Sequence, residues 1–212
     1  VDAQDDFSEE QACTAMPVQR DKLNTLSVLP YGLNAEHIYL AMSDFIRFLG
    51  LVNRQLFTQQ IPRLESFLMP ANFSSIVGEF LNMTIPRYCP TLAKNRFHNG
   101  HPDLIPAGYY PDDAVQYAHQ GIEVKASRYA AGWQGHNPET VWLVVFQFES
   151  NSASERMARP RPFRFRAVYA AQLELEDWRF SGRSATSRRT ITASVTNSGR
   201  LKMQANWIYR DL

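Results

Sequence analysis

Six consecutive residues, Val141-Trp142-Leu143-Val144-Val145-Phe146, constrain the fold more than any other part of the chain. The run is apolar throughout, too short for a typical helix and rich in β-branched and aromatic side chains. It therefore predicts a buried central strand. A second stretch, residues 163–175, places Phe163, Phe165, Ala167 and Tyr169 on one side and Arg164, Arg166 and Val168 on the other, which is strand logic again. A sheet is the framework that the rest of the sequence has to cover.

Helical covers come first in the chain. Asn34 is a plausible N-cap for a long helix reaching about Gln60, with Ile38, Met42, Phe45, Ile46, Leu49, Val52 and Leu56 at helical spacing. Asn72 or Ser74 could cap a second helix running to about Met83, carrying Ile76, Val77, Phe80 and Leu81. Residues 84–100 read as a connection, 101–106 as a short strand and 121–127 as a half-buried strand. The tail is mixed: 181–190 is polar and basic, 190–196 is β-prone, and 202–209 suits either a strand or a short helix. The expectation is an α/β (α+β) architecture with a mixed central β-sheet flanked by helices. An N-terminal leader and helical segment, 1–70, packs on a core of 71–212 within one structural domain.

Composition excludes several classes. With 212 residues, 44% of them hydrophobic, the chain can bury a sizeable core. No window approaches the roughly 18–20 uninterrupted apolar residues of a membrane span, and the acidic start does not look like a signal peptide. Val1 in place of Met leaves room for a removed upstream segment. Two cysteines, Cys13 and Cys89, support neither a disulfide framework nor a Cys-rich zinc site, and a reducing cytoplasm is expected. Phosphate-loop, dinucleotide, nucleophile-elbow and His-Glu-x-x-His signatures are absent from the sequence.

The net charge of +1 hides an asymmetry. From residue 156 onward there are twelve Lys plus Arg against four acids, whereas residues 1–24 hold six acids against two bases. Only four lysines occur in the whole chain: Lys22, Lys94, Lys125 and Lys202. One of them sits in Gly121-Ile122-Glu123-Val124-Lys125-Ala126-Ser127. On a strand Glu123 and Lys125 share a face while Ile122, Val124 and Ala126 pack behind. If Asp103, in His101-Pro102-Asp103, lies on an adjacent strand, two carboxylates and an ammonium converge. Such a set suits a hard divalent cation and an attacking water.

Pro102-Asp103 followed after a spacer by Glu123-Val124-Lys125 resembles the PD-(D/E)XK nuclease superfamily, whose founding members are type II restriction endonucleases. The resemblance spans about residues 73–148. It implies a restriction-endonuclease-like core, with Asp103 and Glu123 binding Mg²⁺ (Mn²⁺ as a possible substitute), Val124 lending its carbonyl and Lys125 assisting the water. It also matches Glu79, on the preceding helix, to an auxiliary acid of that family. The expected activity is Mg²⁺-dependent hydrolysis of DNA phosphodiesters, most simply by a type II restriction endonuclease. That reading brings double-stranded DNA as partner, a homodimer for a palindromic site and a cognate DNA methyltransferase encoded nearby. A structure-selective repair or recombination nuclease is the alternative within the same chemistry. A non-catalytic DNA-binding module with a nuclease-like fold is the alternative outside it.

Candidate DNA contacts are of three kinds. Ser127 and Arg128 lie just beyond the motif strand, and His136 and Asn137 lie in a polar loop that could line the cleft together with His101. Arg164, Arg166, Arg183, Arg188 and Arg189 belong to the basic C-terminal part, where guanidiniums suit phosphate and guanine-edge contacts. The histidines do not have the spacing of an HNH nuclease.

Overall fold

The computed structural model describes residues 7–135, 137–155, 159–180 and 192–211. A six-stranded mixed sheet, in the order β1-β2-β3-β5-β6-β9, forms its middle. The strands are β1 (Leu92–Lys94), β2 (Leu104–Pro106), β3 (Ile122–Ser127), β5 (Val141–Glu149), β6 (Arg164–Leu173) and β9 (Trp207–Arg210). All neighbours are antiparallel except β3 and β5, which are parallel from Ile122↔Trp142 to Ser127↔Gln147. A parallel pair needs a long crossover, usually a helix. Here residues 128–140 make it with loop and the two-residue β4 (Gln134–Gly135), and no helix is present among its described residues. A second sheet, β4-β8-β7, adds β7 (Trp178–Phe180) and β8 (Ala193–Val195).

One face of the large sheet is covered by helices. After the single-turn α1 (Glu9–Ala12) comes α2 (Ala35–Thr58), begun by Asn34, whose side chain accepts the His37 N–H at 3.1 Å as the sequence predicts. The short α3 (Leu64–Phe67) leads into α4 (Pro70–Tyr88). That second helix is longer than expected at both ends. Pro70 opens it, because a proline at the first helical position sacrifices no hydrogen bond. It then runs on through Pro86 into what the sequence suggested was connection. Ile38, Met42, Phe45 and Leu49 of α2 and Phe73, Val77, Leu81 and Ile85 of α4 share one core with Ile122, Val124, Val144, Phe146, Phe148 and Val168 of the sheet. The apolar interior therefore continues across residue 70, the expected segment boundary.

The opposite face carries the small sheet and α5 (Asn197–Ala205), around Trp133, Leu143, Val145, Tyr169, Leu173 and Met203. Val141–Phe146 is thus buried from both sides, as its composition demands. The tail proves to be both of its options in turn, a helix and then a strand. Strict alternation fails in β6. Gln147 faces Ala167 while Phe148 faces Phe165, so Arg166 is an extra, bulged residue. Phe163 and Phe165 consequently pack with Val168 in the helix-side core, and Ala167 and Tyr169 turn to the other.

Arg63, only 2% exposed, ties the N-terminal segment to the sheet. Its guanidinium donates to Glu65 Oε1 (2.9 Å), Glu9 Oε2 (2.9 Å), the Arg161 carbonyl (2.8 Å) and Asn151 Oδ1 (2.8 Å). Glu65, fully buried, accepts a further bond from Asn53. No helix among the described residues is long and apolar enough to cross a membrane.

Candidate active site

The shortness of β2 creates the site. It pairs with β3 only at Leu104↔Ile122, so beyond Ile122 the β2-side edge of β3 has no ladder partner. The Asp103 side chain takes the vacancy: its Oδ2 accepts the Val124 N–H at 2.9 Å. In an extended strand the N–H and C=O of one residue leave by the same edge. The Val124 carbonyl therefore faces the same side as Asp103.

Two glycines and an asparagine hold Asp103 in place. Gly121 has φ +142°, and a Cβ there would lie 2.3 Å from the Leu104 carbonyl oxygen and 2.4 Å from Pro102 Cγ. Only glycine lets the two strands meet so closely at that backbone angle. Asn95, buried, spends its whole amide on this corner. Its Nδ2 donates to the Pro102 carbonyl (3.0 Å) and the Val115 carbonyl (2.8 Å), and its Oδ1 accepts from the Phe97 and Val115 N–H groups. A side chain on Gly100 would collide with that amide at 2.6 Å.

Glu123 and Lys125 project from the other face of β3, beside Leu143 and Val145 of β5, while Ile122 and Val124 enter the helix-side core as predicted. Lys125 Nζ donates to Glu123 Oε1. Glu123 Oε2 meets His101 Nδ1 at 3.0 Å, and His101 Nε2 meets Glu139 Oε2 at 3.0 Å. The His101 ring stacks on Tyr117, with centroids 5.6 Å apart. A row of alternating charge, Lys125, Glu123, His101, Glu139, thus runs beside Asp103. Lys125, Glu123 and His101, with Asp103, line a cleft of about 1040 Å³ whose margin also includes Glu79.

The charges divide the two carboxyls. Burial pushes the Asp103 carboxyl up to about 7, and the Glu123 charge adds to the push against Lys125 and the Val124 N–H. Burial acts the same way on Glu123, but His101 and Lys125 outweigh it and hold that carboxyl at about 2. Burial disfavours the charged His101, yet its bonds to Glu123 and Glu139 lift it to about 10. Lys125 is also raised, because Glu123 and Asp103 overcome its desolvation.

Asp103 and Glu123 line the same cleft, near enough for the charge of one to act on the other. Crowded acids beside an outward-facing carbonyl fit a hard divalent cation. Each carboxylate oxygen has a second lone pair, so the bonds of Glu123 to Lys125 and His101 do not exhaust it. No group of three or more His, Cys, Asp or Glu residues that could hold a metal ion occurs among the described residues. Asp103, Glu123 and the Val124 carbonyl are the groups that could hold one here, with water completing the shell.

A stability effect follows from the Asp103 environment. A carboxyl whose folded value is raised contributes stability that is present below its unfolded value, near 3.8, and lost as pH rises through 7. In EDTA, Asp103→Asn is therefore expected to stabilise the protein at pH 8 by about 1–3 kcal/mol and to leave it unchanged at pH 4. Thermal denaturation at both pH values measures this. A variant no more stable than the parent at pH 8 would contradict the placement.

The remaining predicted residues are scattered. Glu79, exposed on α4, is bound by Lys94 Nζ at 2.5 Å on the cleft margin. Ser127 ends β3 with its hydroxyl on the Tyr129 backbone, and Asn137 is exposed in the crossover. Arg128 is turned inward, donating to Ser150 and to the Ser150 and Asn151 carbonyls. Arg164 makes two bonds to Glu149 Oε2, and Arg166 approaches the same oxygen at 4.0 Å. His136, Arg183, Arg188 and Arg189 lie outside the described residues. Sequence reasoning missed Glu139 and Asn95. Glu139 stands in a polar loop with no spacing relation to the motif, and only the Gly100 and Gly121 pair hinted at the tight corner that Asn95 serves.

No family model, no curated protein and no solved structure matches this chain.

Proposed function

We propose that this protein is a Mg²⁺-dependent endonuclease that hydrolyses DNA phosphodiesters on a restriction-endonuclease-like core. One observation carries the reading: Asp103 and Glu123 converge from adjacent strands beside Lys125, in a cleft. Acids crowded until one resists ionisation at neutral pH occur where function demands it more often than where stability does.

Asp103, Glu123 and the Val124 carbonyl would hold a divalent cation, which would supply positive charge to the phosphoryl oxygens. The chain's own residues do the rest. Asp103 and the Val124 carbonyl face one side of the reacting phosphate, and Glu123 is kept ionised and oriented by His101. The Lys125 ammonium, itself steadied by Glu123, orients the attacking water and offsets negative charge that develops on the phosphoryl oxygens in the transition state. His101 acts through Glu123, and Glu139 holds the far nitrogen of His101 so that the ring cannot swing away.

A type II restriction enzyme is the simplest member of this class consistent with a compact chain, and cutting a palindromic site would call for a two-fold dimer. Incubation of supercoiled and phage DNA with Mg²⁺ is expected to give discrete fragments, suppressed by EDTA. A smear, or a preference for nicked and branched substrates, would replace restriction by repair. Intact DNA with every divalent metal tried would refute the catalytic reading.

A further inference from the structure

We infer that residues 94–101, which form one wall of the cleft, are its nucleic-acid grip, with Arg96 holding a backbone phosphate and Phe97 packing on the adjoining base or sugar. The inference rests on the nuclease reading and adds to it where the substrate strand lies.

Charge accounting points to this wall. Among the described residues of the basic C-terminal part, Arg161, Arg164 and Arg166 are matched within the protein. Glu149 takes Arg164 and lies near Arg161 and Arg166, while Glu155 takes Arg161 at 2.7 Å and lies 3.6 Å from Arg128. Arg128 is further consumed by backbone carbonyls. These groups gather around the C-terminal ends of β3 and β5, about five residues of strand, or roughly 16 Å, beyond Glu123. Arg96, by contrast, is exposed, lines the cleft that holds Asp103, Glu123 and Lys125, and makes no side-chain hydrogen bond or ion pair among the described residues. His98, also exposed, stands beside it on the same wall.

The wall is built to hold its shape. The Asn95 amide clamps it to the Pro102 and Val115 backbones, the Asn95 N–H donates to the Asp103 carbonyl at 2.8 Å, and the Arg96 N–H donates to the Asp113 carbonyl at 2.9 Å. The backbone that presents Arg96 is therefore the backbone that positions Asp103. On that clamped loop Phe97 leaves 43% of its surface exposed within the cleft. An unpaired guanidinium next to an exposed aromatic ring is the pairing that suits a polynucleotide strand, one group for phosphate and one for a stacked face. Because the phosphates are repelled by Asp103 and Glu123 on the facing side, a fixed cation on this wall is also what lets the strand approach them.

Binding of a labelled 24-base-pair duplex and its single strand is measured by anisotropy in EDTA, where cleavage cannot intervene, over a series of salt concentrations. Arg96→Glu is expected to weaken binding at least tenfold, and Arg96→Gln to reduce the slope of log affinity against log salt by about one. Phe97→Ala should weaken single-strand binding by about tenfold with the slope unchanged, since stacking releases no counterions. Arg54→Glu, the same charge change on the exposed part of α2 away from the cleft, serves as control and should bind as the parent does. Both Arg96 variants binding with parental affinity and slope would overturn the inference, and if the parent still cleaves DNA the nuclease reading survives alone. Arg96-dependent binding without cleavage in any divalent metal leaves the grip standing and removes the nuclease. A parent that binds neither DNA overturns both.

Discussion

Lys125→Ala is expected to lower the rate of DNA cleavage by about 10²–10³ or more while leaving DNA affinity within a few-fold of the parent. The ammonium sits in the cleft, bonded to Glu123 and close to Asp103, where negative charge developing on the phosphoryl oxygens would be felt in a partly dry environment. The Lys125 ammonium is already bonded to Glu123 and so adds little to the phosphate contacts that hold a strand. The transition state concentrates charge at a single place, so its loss matters greatly there. Lys125→Arg separates two parts of the role. It keeps the charge, but a guanidinium is planar, larger and unable to give up its proton. If Lys125 only offsets charge, the arginine variant should recover much of the rate, whereas if it exchanges a proton with water the variant should stay inactive. Parallel collapse of binding and cleavage in Lys125→Ala would sink the assigned role altogether.

The second large effect is on stability. Arg63→Met should cost about 3–5 kcal/mol, because it leaves Glu65 fully buried without its cation and strands the Arg161 carbonyl and Asn151. For a chain of this size that is a fall of roughly 10 °C in Tm. Adding Glu65→Met should restore a substantial part of the loss, since an apolar pair of similar volume removes the stranded charge. Thermal and urea denaturation of the two single variants and the double variant close the cycle. A double variant as unstable as Arg63→Met alone would show that the carbonyl and amide partners, rather than Glu65, dominate.

How far the fold was legible depends on what each element needs to exist. α2 and β5 could be read because each carries its own signal, a cap with a 3.6-residue stripe in one case and an unbroken β-prone run in the other. β6 could be read as a strand but not as a bulged one, because the displacement of Arg166 is decided by its pairing with β5 and has no local mark. The start of α4 was obscured by Pro70, which signals a break and an opening equally well.

The site divides in the same way. Glu123 and Lys125 are two residues apart on one strand, so their shared face follows from geometry alone. The junction with Asp103 needs a cross-strand contact across Gly121, which the motif suggests but which no local spacing dictates. Glu139 depends on how a crossover loop folds back on the cleft, for which the sequence has no code. The arginines misdirect for a related reason. Composition counts charges, but only the fold reveals that Glu149 and Glu155 neutralise several of them, and that Arg96, between Lys94 and His98, has no acidic partner among the described residues.

The three-residue β2 has one more consequence. Where it stops, β3 would offer bare backbone donors to any extended segment that came alongside, the usual invitation to strand addition. Asp103 blocks that edge by acting as a substitute for the missing strand, its Oδ2 occupying the Val124 N–H that a replacement would need. The acid at the centre of the proposed chemistry is therefore also the plug that terminates a sheet, so asparagine, which can still accept the Val124 N–H, and alanine, which cannot, are different experiments. The first removes a charge, whereas the second also uncaps a template for self-association.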